Sequence, residues 1–454
     1  MVRGLELKGF HKPAPKAGRR PYHPAALLGL ILFGILEGRH SLRQLETLAR
    51  TDVRCWWITG GIHPDHSVIG RFIQQHGEQL SEGFFIELTR RVLELTKGSG
   101  GDLSGDGTIV QAAGSRYRRL SKEAAEAAEQ EAQEAHLQAP EDPILAQRAK
   151  QAAEVVETVR QRTEAQKRHG TRGKVEVSRS EPEAVVQPLK NKAGLAPSYK
   201  PVVFSNEQQV VVAQTVHPSC EHAEYAQMLD QAERIGGKVK QIRLDSGYSN
   251  FEVMEESESR EIRLLCPESE NASGEKRKPK KFPKRAFRYD PESDSYACPA
   301  GQRLVATGRR GKQRGRSYQY YGGAPCQDCE QRSQCTSRSR GRQVKRYAGD
   351  ELREKLRARM QNEWMRQEYQ KRRHMVEPVF ARMKEQQGLK RFRRKGLRQV
   401  QVEFALHAAV HNIGRLLALV PVSTPFLCPI RSIIRRLMAS FRFLQGTAPF
   451  FSVP

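Results

Sequence analysis

The chain has 454 residues, enough for two or three domains rather than one core. Its 77 lysines and arginines against 51 acids give a net charge of +26, an excess that points to nucleic acid, whose phosphates release counterions as they are neutralised. No uninterrupted apolar run approaches the roughly 18 residues of a membrane span, and the start lacks the apolar stretch of a secretory signal, so the expected partner is not a membrane and the expected location is the cytoplasm, with the nucleoid DNA.

From Tyr22 the pattern is helical, with Leu27, Leu28, Ile31, Leu32 and Ile35 at steps of three and four. Gly38 reads as a stop and Ser41 as the next cap, a third helix starts near Asp65 or Ser67, and a fourth covers "SEGFFIELTRRVLELT". Residues 1–98 are therefore expected to form a helical N-terminal domain, either a helix-turn-helix DNA-binding unit or a bundle of another purpose. The glycines of "GSGGDLSGDGTIV" break the helical texture and predict a short strand around Asp102 to Val110, the first part (99–118) of an α/β core. Residues 121–168 are rich in Ala, Glu, Gln and Lys and predict an exposed helical hairpin turning at Pro140 to Pro143, within an insertion and linker over 119–195. "SYKPVVFS" and "QQVVVAQTV" predict a hairpin through Asn206, followed by a helix from about Glu221 and by strands in "KVKQIRLDSGYS" and "EIRLLCP"; 196–266 is the second part of the core. Residues 267–350 are basic with little periodicity, 351–420 are helical, and 421–454 form a basic, apolar tail.

Two acids sit at the expected ends of strands, Asp106 in "SGDGTIV" and Asp245 in "RLDSGY", where a scaffold fixes a carboxylate yet leaves it reachable. A turn-forming role accounts for either one alone. A third acid, Glu377, stands among the eleven Lys and Arg of residues 371–398. On a single helix, Arg373, Glu377 and Lys384 fall within about 40° of each other on the border of an apolar face. The plain alternative is an intrahelical Arg373–Glu377 pair, and Pro378 either kinks the helix or begins it.

In this order, Asp106 in "DGT", Asp245 in "LDSGY" and Glu377 in "VEPVFARMKEQQGLKRF" resemble the bacterial insertion-sequence transposases of the DDE class, in the branch with a helical N-terminal domain and a Tyr, Arg, Glu, Lys signature. Arg373, Glu377 and Lys384 match the signature's spacing; Tyr369 stands one residue further from the arginine than the pattern has it. The likeness extends to "YHPAALLGLILFGILEG", "HPDHSVIGRF" and "ALHAAVHNIGRLL". It implies an RNase H-like mixed-sheet catalytic core in which Asp106, Asp245 and Glu377 hold two Mg²⁺ or Mn²⁺ ions, Arg373 and Lys384 grip phosphates, and Tyr369 helps to hold the strand end. The implied substrate is double-stranded DNA, the element's terminal inverted repeats and a target, with a homodimer bringing two ends together. The remaining alternatives are a transposase-derived DNA-binding protein, a nuclease without strand transfer, and a basic RNA-binding protein.

Four cysteines, Cys298, Cys326, Cys329 and Cys335, cluster in Arg-rich, turn-rich sequence. C-x2-C with two further thiols suggests structural Zn²⁺, which would order residues 290–340 without a core; reduced free thiols in a basic loop are the alternative. Related transposases carry a comparable cysteine-containing insertion. Cys55 and Cys266 read as core residues, and His217 and His222 near Cys220 as structural or exposed.

Overall fold

The computed structural model describes residues 8–10, 21–169, 174–189, 194–268, 281–313 and 315–420. The tail over 421–454 and the first residues of the basic run 276–288 lie outside them.

Five helices lead the chain: α1 (Pro24–Leu36), α2 (Leu42–Thr51), α3 (Val53–Thr59), α4 (His66–Gln75) and α5 (Phe84–Thr96), the last entered through a π-helical turn at Gln79–Gly83. The caps are those of the sequence. Gly38 adopts φ +71°, Ser41 closes a reciprocal capping box with Gln44, and Asp65 accepts from the Val68 N–H. Helix α3 was not expected; Asp52 caps it with a bond from the Arg54 N–H. α1 is buried over most of its circumference because the helices do not close a core of their own: one continuous apolar cluster runs from Leu28 and Ile31 through Phe85 and Leu88 to Val202, Ile242 and Phe404. The expected self-contained helical domain therefore shares its core with the sheet.

That sheet holds β1 (Asp102–Gly107), β2 (Val110–Gln111), β3 (Arg119–Leu120), β4 (Val177–Ser178), β5 (Val185–Pro188), β6 (Leu195–Ser205), β7 (Val211–His217), β8 (Gln241–Arg243) and β9 (Arg263–Leu265). Its centre runs β7–β6–β1–β8–β9, with β6 antiparallel to both neighbours and β1, β8 and β9 parallel. Near-continuous burial along β6 and β7 follows from their Val and Phe runs, which helices cover. Helices α8 (Tyr225–Gly236) and α9 (Phe251–Ser259) make the crossovers to β8 and β9. This is a mixed α/β, RNase H-like core behind a helical N-terminal region.

Helices α6 (Lys122–Gln138) and α7 (Pro143–His169) form the expected hairpin, and it has a small core of its own in Ala125, Ala132, Val155, Val156 and Val159 against Val177. The second insertion departs from its expectation more. Residues 288–347 form a five-stranded antiparallel sheet, β10 (Arg288–Asp290), β11 (Ser295–Ala297), β12 (Arg303–Gln313), β13 (Arg316–Gly322) and β14 (Val344–Tyr347), over a core of Phe287, Tyr296, Leu304, Tyr321 and Val344. Order without a core was the wrong expectation. Alternation along "YACP" and "RLVAT" puts Tyr296, Cys298, Leu304 and Ala306 inward; in "SYQYYG" Tyr321 joins that core, while Tyr318 and Tyr320 lie on the other face beneath Lys345.

After the short α10 (Arg332–Cys335), three helices end the described chain: α11 (Asp350–Gln361), α12 (Glu363–Glu385) and α13 (Leu397–Leu419). α12 is continuous through Pro378. A proline there has no N–H for the His374 carbonyl four residues back, and the Gln209 side-chain amide donates to that carbonyl instead, at 2.9 Å. α13 crosses the sheet at β7, where the buried Asn412 amide accepts from the Val211 N–H at 2.8 Å and donates to the Val211 carbonyl at 2.8 Å and to the Thr89 hydroxyl at 3.0 Å. Asn412→Leu keeps the branched shape and strands these three groups, so it should destabilise the fold by about 3 kcal/mol, read as a lower urea midpoint at unchanged slope. Among the described residues no helix is long and apolar enough to cross a membrane.

Candidate active site

β1 and β8 are parallel neighbours with Ser104 opposite Arg243, so two residues further on each strand Asp106 and Asp245 emerge side by side. The strand spacing of about 4.8 Å places the carboxylates in each other's field. β1 ends at Gly107; Asp245 leaves β8 in extended conformation and caps the turn Ser246–Tyr248, its Oδ1 accepting from the Gly247 N–H at 2.9 Å. The glycines around Asp106 serve internal packing and not substrate approach: a Cβ on Gly105 would lie 2.5 Å from Leu244 and 2.8 Å from Phe204, and one on Gly107 2.7 Å from Glu221.

α12 lies across β1. Its buried stripe of Met375, Val376, Val379 and Met383 packs on the sheet, and Arg372 beside that stripe reaches the aspartates. The Arg372 guanidinium lies 2.8 Å from Asp106 Oδ1 and donates to the Gly105 carbonyl at 3.2 Å. Even so, burial pushes the Asp106 carboxyl up to about 6; Arg372 opposes the shift, and the charges of Asp245 and Glu221 add to it. Glu221 follows β7 and pairs with Lys200 at 3.3 Å. Tyr248 is fully buried beside the same acids, its hydroxyl without a hydrogen-bond partner. Three carboxylates thus share a pocket with two cations. Such a surplus of hard oxygen donors suits a divalent ion of the Mg²⁺ type, and the Arg372 guanidinium stands where positive charge is needed.

The other sequence-derived residues fall on the same helix at different depths. Tyr369 is half-buried; burial raises its phenol, which lies within the field of Arg372, Cys266, Asp245 and Asp106. Lys384 donates to the Thr108 hydroxyl at 2.5 Å, just past the end of β1. Arg373 and Glu377 are exposed, 80% and 59% by side chain, and lie 3.9 Å apart as an i,i+4 pair. Glu377 is about 20° from Lys384 around the helix, about 10 Å before it along the axis and about 7.5 Å beyond Arg372. The structure thus brings Asp106 and Asp245 together and leaves Glu377 on the bordering helix edge, engaged with Arg373. Sequence reasoning missed Arg372 and Glu221. A signal for Arg372 was present: it stands at the spacing from Tyr369 that Arg373 exceeds by one.

In the second insertion, Cys298, Cys326, Cys329 and Cys335 line one cavity with Phe282, Leu304 and Arg342. Burial raises the Cys335 thiol, and Cys326, Cys298 and Cys329 act on it as neighbours. The four thiols converge, yet among the described residues the group of three or more ligand atoms mutually within 4.8 Å is a different one, His40, Glu403 and His407. Cys55 and Cys266 are buried core residues, and His217 accepts from the Ser219 and Cys220 N–H groups, a structural role.

Comparison with known proteins matches two segments of the chain, neither of which contains Asp106 or Asp245. The transposase DDE domain family matches residues 297–417, which include α12 and α13, and a transposase domain family of otherwise undefined role (DUF772) matches residues 4–75, the N-terminal helices. No curated protein matches significantly. Alongside its mixed sheet and paired aspartates, the chain carries a transposase DDE domain over residues 297–417 and a second transposase domain over residues 4–75.

Proposed function

We propose that this transposase cuts DNA at the ends of its own insertion sequence and joins the freed 3′ ends to target DNA, using one acid site for both steps. The observation that carries the proposal is the pairing of Asp106 and Asp245 at the ends of parallel β1 and β8, in a pocket with more negative than positive charge. Asp106, Asp245 and Glu377 are the proposed holders of two Mg²⁺ or Mn²⁺ ions, which when bound would neutralise the attacking and leaving oxygens of the phosphodiester. Glu377 lies about 140° around the helix from Arg372, so joining Asp106 and Asp245 would require α12 to shift as well as the side chain to leave Arg373. Arg372 orients Asp106 and offsets its charge before metal arrives. Arg373 and Lys384, on the same edge, would grip phosphates flanking the scissile bond, and the Tyr369 hydroxyl would hold the strand end.

The remaining assignments follow from that reading. Residues 1–98 would carry DNA recognition; 99–118, 196–266 and 351–420 would carry catalysis, interrupted by 119–195 and 267–350. Two copies would hold the two ends, in the cytoplasm on nucleoid DNA. The test uses DNA with the sequences that flank the gene. Wild-type protein should nick it only with Mg²⁺ or Mn²⁺ and should join precut ends to a plasmid; Asp245→Asn and Glu377→Gln should each lose both reactions by more than about a hundredfold. Wild-type rates in Glu377→Gln would remove that residue from the site. Cutting without joining of precut ends would favour a nuclease.

The four cysteines are proposed to hold one structural Zn²⁺, because C-x2-C and two further thiols face a common cavity. Purified protein should then contain one zinc that Cys326→Ser with Cys329→Ser abolishes, with loss of protease resistance around residues 282–347. Folded protein without zinc would refute it.

A further inference from the structure

A second metal-ligating cluster lies away from the acids and thiols. His40 stands in the turn between α1 and α2; Glu403 and His407 are one turn apart on α13. One ligand atom of each lies within 4.8 Å of the other two. Glu403 is 5% exposed and His407 0%. The Nε2 of His407 is buried without a hydrogen-bond partner, the buried His40 ring has only a weak contact with the Gln387 carbonyl, and the two rings meet edge-on with centroids 5.1 Å apart. A buried orphan of this kind destabilises the fold unless something satisfies it. The Arg393 and Arg394 N–H groups fix the Glu403 carboxylate at 2.9–3.0 Å, and the Gln387 side-chain amide lies 2.8 Å from His407 Nδ1.

We propose that His40, Glu403 and His407 form a structural site for one divalent transition ion of the zinc class, fastening the α1–α2 turn and the 386–394 segment to α13. Two imidazoles and one carboxylate select zinc-like ions over Mg²⁺ or Ca²⁺, and a water would complete the tetrahedral set. Burial holds both imidazoles neutral, the ligating form, with His40 lowered to about 4. It also raises Glu403 to about 7, so loading releases a proton near neutrality. Arg393 and Arg394 oppose a dication, and Glu403 is the anion that offsets them. An ion on His407 Nε2 requires the proton on Nδ1, hence Gln387 with its oxygen toward the ring. The reversed amide, which donates to His407 Nδ1 and the His407 carbonyl and accepts from the His411 N–H, is the better-satisfied orientation without metal; it puts the proton on Nε2 and closes the site. The metal therefore selects one of two amide orientations.

The experiment titrates full-length protein, stripped of metal, with Co²⁺ in excess Mg²⁺, which occupies the carboxylate site. The expected result is one Co²⁺ per chain with nitrogen and oxygen neighbours and no sulfur by X-ray absorption, distinct from any thiolate-bound equivalent, and a rise of several degrees in Tm. His40→Ala and His407→Gln should each bind that equivalent more than tenfold more weakly, whereas Asp106→Asn retains it. Unchanged Co²⁺ binding in His40→Ala, sulfur ligation of every bound Co²⁺, or a His407 proton on Nε2 in zinc-treated protein by ¹⁵N NMR would each overturn the proposal. Should His407→Gln not fold, His40→Ala and the wild-type absorption data decide alone.

Discussion

Asp106→Asn is expected to abolish metal-dependent strand cleavage and, in the same protein, to stabilise the metal-free fold above pH 6. The activity loss follows from the proposed role: a residue that only orients a ligand is worth about 10- to 100-fold, and removal of the ligand costs more. The stability effect follows from the carboxyl pushed up to about 6 against 3.8 in the unfolded chain. An acid with a raised value binds its proton more tightly in the folded state, so its contribution to stability is full below pH 3.8 and lost as pH rises through 6. At about 1.4 kcal/mol per unit, the ionised Asp106 costs the metal-free fold about 3 kcal/mol at pH 8. Asparagine does not ionise. In EDTA the variant should therefore melt above wild type at pH 8, with the difference shrinking toward pH 4. Adding Mg²⁺ should raise the wild-type Tm and leave the variant nearly unchanged. A variant less stable than wild type at pH 8 in EDTA would mean that the Arg372 pair, and not the surplus of negative charge, governs the pocket.

Much of the core was legible because its signals are local. The valine runs of β6 and β7, the caps Ser41 and Asp65, and the placing of Asp106 and Asp245 where apolar strands end all depend on neighbours within a few residues. What was not legible depends on tertiary phase. Arg372 and Arg373 are adjacent cations on one helix; which of them meets Asp106 is decided by how Val376, Val379 and Met383 seat α12 on β1. Glu221 sits in irregular chain after β7, and only the register of β1 against β6 brings it to Gly107. β3, β4 and β5 have two to four residues each, too few to show a period. In the second insertion the alternation was present in "RLVAT", but composition is read from every residue and a β-face from every other one. The exposed cations outnumbered the buried rings.

Arg243→Met should be the most destabilising single change outside the apolar core, at about 3–5 kcal/mol, because it breaks a buried ion cluster at one end only. The Arg243 side chain is 0% exposed on the central strand β8. It pairs with Asp102 at the start of β1, with the Glu368 carboxylate at 2.7 Å, and donates to the Glu368 backbone carbonyl at 2.6 Å. One guanidinium thus joins two parallel strands and the first half of α12. Methionine fills much of the space but leaves Asp102 without its cation and Glu368 with Lys371 alone, at 2.7 Å. Glu368→Gln should cost less, since Asp102 still balances the arginine and the amide still accepts a bond. The damage also bears on the acid site: Tyr369 and Arg372 follow Glu368 within one helical turn, and both depend on the seating of α12 that Arg243 enforces. The variant should therefore lower the urea midpoint and weaken cleavage together, whereas Asp245→Asn leaves the midpoint near wild type and removes cleavage alone. A midpoint within about 1 kcal/mol of wild type for Arg243→Met would show that the apolar stripe of α12 holds the helix without it.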